Sequence, residues 1–140
     1  MSAFSDYVEN EILKKLFSGA STWATPANIW ISLHVSDPGE TNANTGEIST
    51  QATPGNYARQ QVACNATNWT ITNNQVVNAV TIQWPTTGTV TWAYTVTHFA
   101  IWDAVTGGNK LFQGALATSK TVSSGDVFQF LANGIQITLN

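Results

Sequence analysis

The chain has 140 residues, of which 43% are hydrophobic and 9% charged, with a formal net charge of −3. That is enough chain for one hydrophobic core, but far below the roughly 25% charged content usual in soluble domains, so its surface must be polar without being ionic. The five basic residues form no stripe that could neutralise a phosphate backbone, the single Cys64 excludes an intrachain disulfide and a cysteine zinc site, and no stretch approaches the ~20 apolar residues of a membrane span.

The chain opens on MSAFSDYVENEILKKLF, which lacks the basic start and apolar run of a signal peptide, so the protein is expected to be made in the cytoplasm and to remain soluble. Phe4, Tyr7, Val8, Ile12, Leu13, Leu16 and Phe17 recur at helical spacing, predicting one amphipathic helix over about 4–18. Ser5 is placed to cap it and Gly19 to end it. Asp6 and Glu9 sit near its positive pole, and Lys14 and Lys15 near its negative one. Its apolar stripe needs cover, from this domain's sheet or from a neighbouring subunit.

From Ile29 the period changes to two. Ile29, Ile31, Leu33 and Val35 face one way and Trp30, Ser32 and His34 the other, which predicts a strand with Trp30 as the best candidate for an exposed aromatic. Ser36 to Asn56 follows, rich in Gly, Pro, Asn and Thr, and reads as a long exposed loop. Loops longer than about 12–15 residues are uncommon unless functional or disordered, which makes this one a candidate contact arm. Deleting Thr41 to Thr50 is accordingly expected to leave the domain folded.

Further strands are expected at Tyr57–Cys64, Asn68–Thr72, Val76–Trp84, Trp92–Trp102, Leu111–Ala117, Asp126–Leu131 and Ile135–Leu139. Residues 106–109 and 123–126 carry hairpin chemistry, and Asn133-Gly134 predicts a tight type I′ hairpin between the last two strands. The fold class is therefore mainly β. It is an antiparallel, jelly-roll-like β-sandwich in one domain over 1–140, with one N-terminal amphipathic helix.

Chemistry is sparse. His34 and His98 lie in predicted strands without His-x-Glu or His-Glu-x-x-His spacing, and read as sheet-face side chains packed on their neighbours. Asp103 and Asp126 sit where turns begin and accept turn hydrogen bonds. No nucleophile elbow, phosphate loop or dinucleotide fingerprint is present, so no enzymatic activity, catalytic set, cofactor or metal is expected. Trp23, Trp30, Trp69, Trp84, Trp92 and Trp102 could stack on sugars if exposed, but strand-borne aromatics more often fill a core.

The segments SAFSDYVENEILKKLF, SLHVSDP, GNYARQQV, VTHFAIWDA, TGGNKLFQGAL and SKTVSSGD together span nearly the whole chain. In that combination the sequence resembles a family of small tailed-phage virion proteins commonly labelled as tail-fibre or structural proteins. The resemblance implies a virion component, made in the host bacterial cytoplasm, that binds other virion proteins and forms a homo-oligomer, with a trimer as one option. Compact size and low charge favour a capsid cement or decoration protein bound to the major capsid protein. The alternative is a tail- or baseplate-associated fibre protein, with a receptor- or glycan-binding role as one form of it. No nucleic acid and no membrane is expected as a partner. The candidate protein-contact residues are Tyr7 and Ile12 on the helix, Trp30 on the first strand, and Asp37, Thr41, Asn44 and Glu47 in the long loop.

Overall fold

In the computed structural model, which describes residues 3–139, a short strand β1 (Ala3–Phe4) precedes helix α1 (Asp6–Leu13). The helix begins where the sequence places its cap: the Ser5 side chain accepts from the Val8 amide at 3.4 Å and donates to the Lys110 carbonyl. A wider π-type turn, Lys14–Ser18, extends it to Gly19, whose φ of +63° ends the helix as a left-handed cap. Phe4, expected in the helix, belongs instead to β1.

Nine strands follow: β2 (Asn28–His34), β3 (Gln60–Ala63), β4 (Trp69–Thr72), β5 (Gln75–Asn78), β6 (Ile82–Trp84), β7 (Tyr94–Trp102), β8 (Lys110–Val122), β9 (Phe128–Phe130) and β10 (Gln136–Thr138). All pairings are antiparallel. One sheet has the order β1-β8-β7-β2-β3, a second β10-β5-β4, and a third β6-β9. Ile31, Leu33, Val62, Phe99, Ile101 and Phe112 from the large sheet share one buried core with Ile82, Trp84, Phe128, Phe130 and Ile137 from the two small ones. Phe99 meets Phe130 edge-on across the layers, with ring centroids 5.9 Å apart. The two smaller sheets thus form the second layer of a sandwich, and the removal of large apolar side chains from water, at roughly 1.5–3 kcal/mol each, holds it together.

Three local expectations are corrected by long-range pairing. The segment Val76–Trp84 is two strands, not one, broken at 79–81. The Asn133-Gly134 turn joins no hairpin, because β9 pairs with β6 and β10 with β5. The 123–126 turn likewise delivers the chain to β6 rather than back onto β8; of the three proposed hairpin connectors only 106–109 joins paired strands, β7 and β8. Asn78 accounts for two of these outcomes. Its buried carboxamide donates to the Val80 and Leu131 carbonyls at 2.8 Å each and accepts from the Ile135 amide at 2.7 Å, while its own carbonyl accepts from Asn133 at 2.7 Å. One side chain therefore satisfies both the 79–81 break and the 131–135 crossover. A type I′ turn needs φ > 0 at both central residues, and only Asn133 has it, at +65°.

Asn78→Ala takes the side-chain partner from the Val80 carbonyl and from the buried Ile135 amide, while the Leu131 carbonyl keeps the Gly134 amide at 2.8 Å. At about 1–3 kcal/mol for each uncompensated group, we expect a loss on the order of 2 kcal/mol or more in urea unfolding. A change below 1 kcal/mol would contradict this account of the crossover.

Candidate functional site

The outer face of β2 is not open. Ser32 and His34, which strand alternation places opposite the core, are fully buried, and the cover is the long loop itself. Glu47 returns from the loop to bridge His34 and Val35 donates to the Gly46 carbonyl at 2.9 Å, which lays the loop's second half along the end of β2.

Beneath the loop lies a buried polar layer. Arg59 and Glu47 form a two-pronged ion pair, with Nε to Oε1 at 2.9 Å and Nη2 to Oε2 at 2.8 Å, both side chains being 3% or less exposed. The same guanidinium donates through Nη1 to the carbonyls of Ala104 (3.0 Å) and Gly107 (2.9 Å), and it stacks 3.9 Å above the ring of Trp102. The Tyr57 hydroxyl donates to Glu47 Oε1 at 3.2 Å and accepts from the Leu33 amide at 2.9 Å. Burial, and then the Glu47 charge, hold its pKa well above the ordinary value. Lys110 closes the other end. Its Nζ donates to the carbonyls of Pro38 (2.7 Å), Gly39 (3.0 Å) and Ala43 (2.9 Å), one acceptor for each ammonium proton. Burial lowers its pKa to about 8, so the ammonium stays mostly charged at neutral pH.

His34 is held neutral in this layer. Nδ1 lies 2.7 Å from the Thr45 carbonyl, which can only accept, so Nδ1 carries the proton and Nε2 accepts from Ser32 Oγ at 2.7 Å. Ser32 Oγ in turn accepts from Trp102 Nε1 at 2.8 Å. Burial pushes the imidazole pKa down to about 4.

The structure separates the candidate contact residues into two groups. Asp37, Thr41 and Asn44 are exposed on the first half of the loop, and this half is tied to the helix start because Asp6 donates to the Glu40 carbonyl at 3.1 Å. Tyr7 and Ile12 are half-buried on that helix and pack against the core. Glu47 does not belong with them. It is 2% exposed, its carboxylate is filled by Arg59 and Tyr57, and it cannot be reached by a partner. Ile48 beside it is fully buried, so the loop is exposed only in part, and deleting Thr41 to Thr50 would open the core rather than spare it. Trp30 is half-buried, not exposed. It sits opposite Trp102 in the β2–β7 register, at the rim of the covered region.

The remaining polar candidates have structural partners. Asp103 accepts from the Asn109 amide (2.7 Å) and carboxamide (2.8 Å), closing the β7–β8 turn, and Asp126 accepts from the Ser123 amide at 2.8 Å. His98 is half-buried beside Thr97 Oγ1 at 2.8 Å. Of the tryptophans, Trp84, Trp92 and Trp102 are buried, and Trp23 and Trp69 are half-buried against the core. Sequence reasoning missed Arg59 and Lys110. No local pattern in the sequence marks either of them as buried; their place beside Trp102 is set by long-range packing.

Fold and surface together define the class: a small antiparallel β-sandwich that presents a polar loop pinned to its outer face. More particularly, the chain belongs to the Podophage GP4 fiber I protein gp80 family, whose model matches residues 3–138. It is thus a structural component of a phage virion, built to contact other virion proteins. No curated protein matches the chain.

Removing one member of a buried ion pair costs about 3–5 kcal/mol, because the other is left charged and unpartnered. We therefore expect Glu47→Ala to lower unfolding stability by about that amount and to remove hydrogen-exchange protection at the Val35 amide. Equal protection in variant and parent would show that the pair does not hold the loop. His34 gives a pH dependence. Its folded pKa of about 4 lies below the ordinary 6.5, so the unfolded chain takes up the proton first. The His34 contribution is full above pH 6.5 and is lost as the pH drops toward 4, a loss on the order of 3 kcal/mol. His34→Gln should flatten the stability profile between these two pH values relative to the parent, and parallel profiles would contradict the assignment.

Proposed function

We propose that the chain is a fibre- or tail-associated structural protein of the podophage particle, rather than a capsid cement, and that it acts by protein contact without catalysis. The observation that carries this reading is the match of the fiber family over residues 3–138. Compact size and low charge, which favoured cement in the sequence, suit either location. Tail proteins accordingly replace the major capsid protein as the preferred partners.

The contact surface in this reading is the first half of the loop, through Asp37, Thr41 and Asn44, with Tyr7 and Ile12 on the adjoining helix. The support is pre-organisation. The Lys110 ammonium fixes three loop carbonyls, and its backbone amide donates to Asn42 Oδ1 at 2.9 Å. A loop ordered before binding loses little further entropy when a partner docks. Side chains such as Thr and Asn at its apex are also cheaper to desolvate than Lys or Glu.

The absence of catalysis is supported by the commitments of the polar groups. Both ring nitrogens of His34 are engaged, Asp103 is engaged by Asn109, and no group of three His, Cys, Asp or Glu side chains that could hold a metal occurs among the described residues. A glycan-stacking role draws no support from the tryptophans, all of which are buried or half-buried.

The test is the double variant Thr41→Arg, Asn44→Arg, which alters exposed side chains and leaves Lys110 and Glu47 in place. Its thermal midpoint should match the parent's within a few degrees, while its incorporation into virions, read by mass spectrometry of purified particles, should fall at least tenfold. Full incorporation would reject this face as the contact surface.

A further inference from the structure

Two apolar features of the surface have no partner among the described residues. The first is a stripe at the end of the helix, where Leu13, Leu16 and Phe17, at i, i+3 and i+4, are 56%, 70% and 82% exposed. The second is an open cleft of about 580 Å³ between the large sheet and the β10-β5-β4 sheet, walled by Ile29, Trp69, Ile71, Val76, Ile101 and Ile137. Ile71 on its lip is 74% exposed. Helix α1 packs on β8 and β1, at one edge of the large sheet, whereas the cleft opens beside β2 and the end of β3, at the other edge. The stripe and the cleft therefore face different parts of the surroundings.

We propose that they are the two halves of one interface between copies of this chain, in which Leu16 and Phe17 of one copy enter the cleft of the next. Size and chemistry match: a protruding leucine and phenylalanine fit an apolar opening of this volume, and none of the residues lining the cleft is charged. Area supports a second copy as the occupant. The stripe exposes apolar surface on the order of the 300–600 Å² that marks the largest patch of a monomer, while a specific interface covers roughly 800 Å² on each partner. The stripe thus supplies about half of one side, and the rim around Ile71 and the helix flank the rest. Because the stripe and the cleft are different patches, the contact is head-to-tail, and such contacts close into a ring or continue as a filament. This is the kind of assembly expected of a fiber family, but the inference does not depend on where in the particle the chain sits.

The experiment measures the mass in solution of the full chain and of two variants, Phe17→Asp and Ile71→Asp, by light scattering, with circular dichroism as the folding control. Both side chains are largely exposed, so neither substitution should unfold the domain. The parent should be oligomeric and each variant monomeric. An equimolar mixture of the two should form a one-to-one pair, since the intact stripe of one can still enter the intact cleft of the other. A monomeric parent, a variant that oligomerises like the parent, or a mixture that stays monomeric would each overturn the proposal, and all three would leave the fibre reading standing.

Discussion

The buried pairing of Glu47 with Arg59 over Trp102 is the interaction on which the rest of the surface depends. Isolated, either charge would be expelled from such a site; together, with Tyr57 and the carbonyls of Ala104 and Gly107, each guanidinium nitrogen and both carboxylate oxygens are engaged. The consequence is topological as well as energetic. Through the Arg59 guanidinium the pair joins the long loop, the strand approach at residue 59 and the β7–β8 turn, three segments distant in sequence. Without it the outer face of β2 would lose its cover, and Ser32 and His34 would meet water.

This arrangement explains how a chain with so few charges holds an extended polar loop in one place. Lys110 gathers the first half of the loop by its carbonyls and Glu47 pins the second half by its side chain, so side-chain clamps do the work that strand pairing does elsewhere in the fold. Between the clamps the side chains of Thr41 and Asn44 stay exposed. That division, with Glu47, Arg59 and Lys110 spent inside as clamps and an uncharged apex over 41–45, suits a part that must bury its surface against neighbouring proteins in a particle.

Much of the scaffold was legible in the sequence because it obeys local rules. The helix start at Ser5, the stop at Gly19 and the core face of β2 follow from capping chemistry and periodicity. The failures are all long-range. The Asn133-Gly134 signal marked a real turn, but which strands a turn connects depends on a distant Asn78. Glu47 and Trp30 read as surface residues because a polar loop and an alternating strand give no local sign of being covered. Only knowledge of Arg59 and Trp102 as partners reveals that the second face of the sheet is closed. The contact tip at Asp37, Thr41 and Asn44 kept its exposure because nothing in the fold competes for it.

The placement proposed for this fiber-family domain is the tail or its fibres rather than the capsid shell. The most direct measurement is its copy number in purified virions, by quantitative mass spectrometry against the major capsid protein. A tail or fibre component should be present at a few to a few dozen copies for each particle. A ratio near parity with the major capsid protein would contradict it and place the chain on the capsid as a cement.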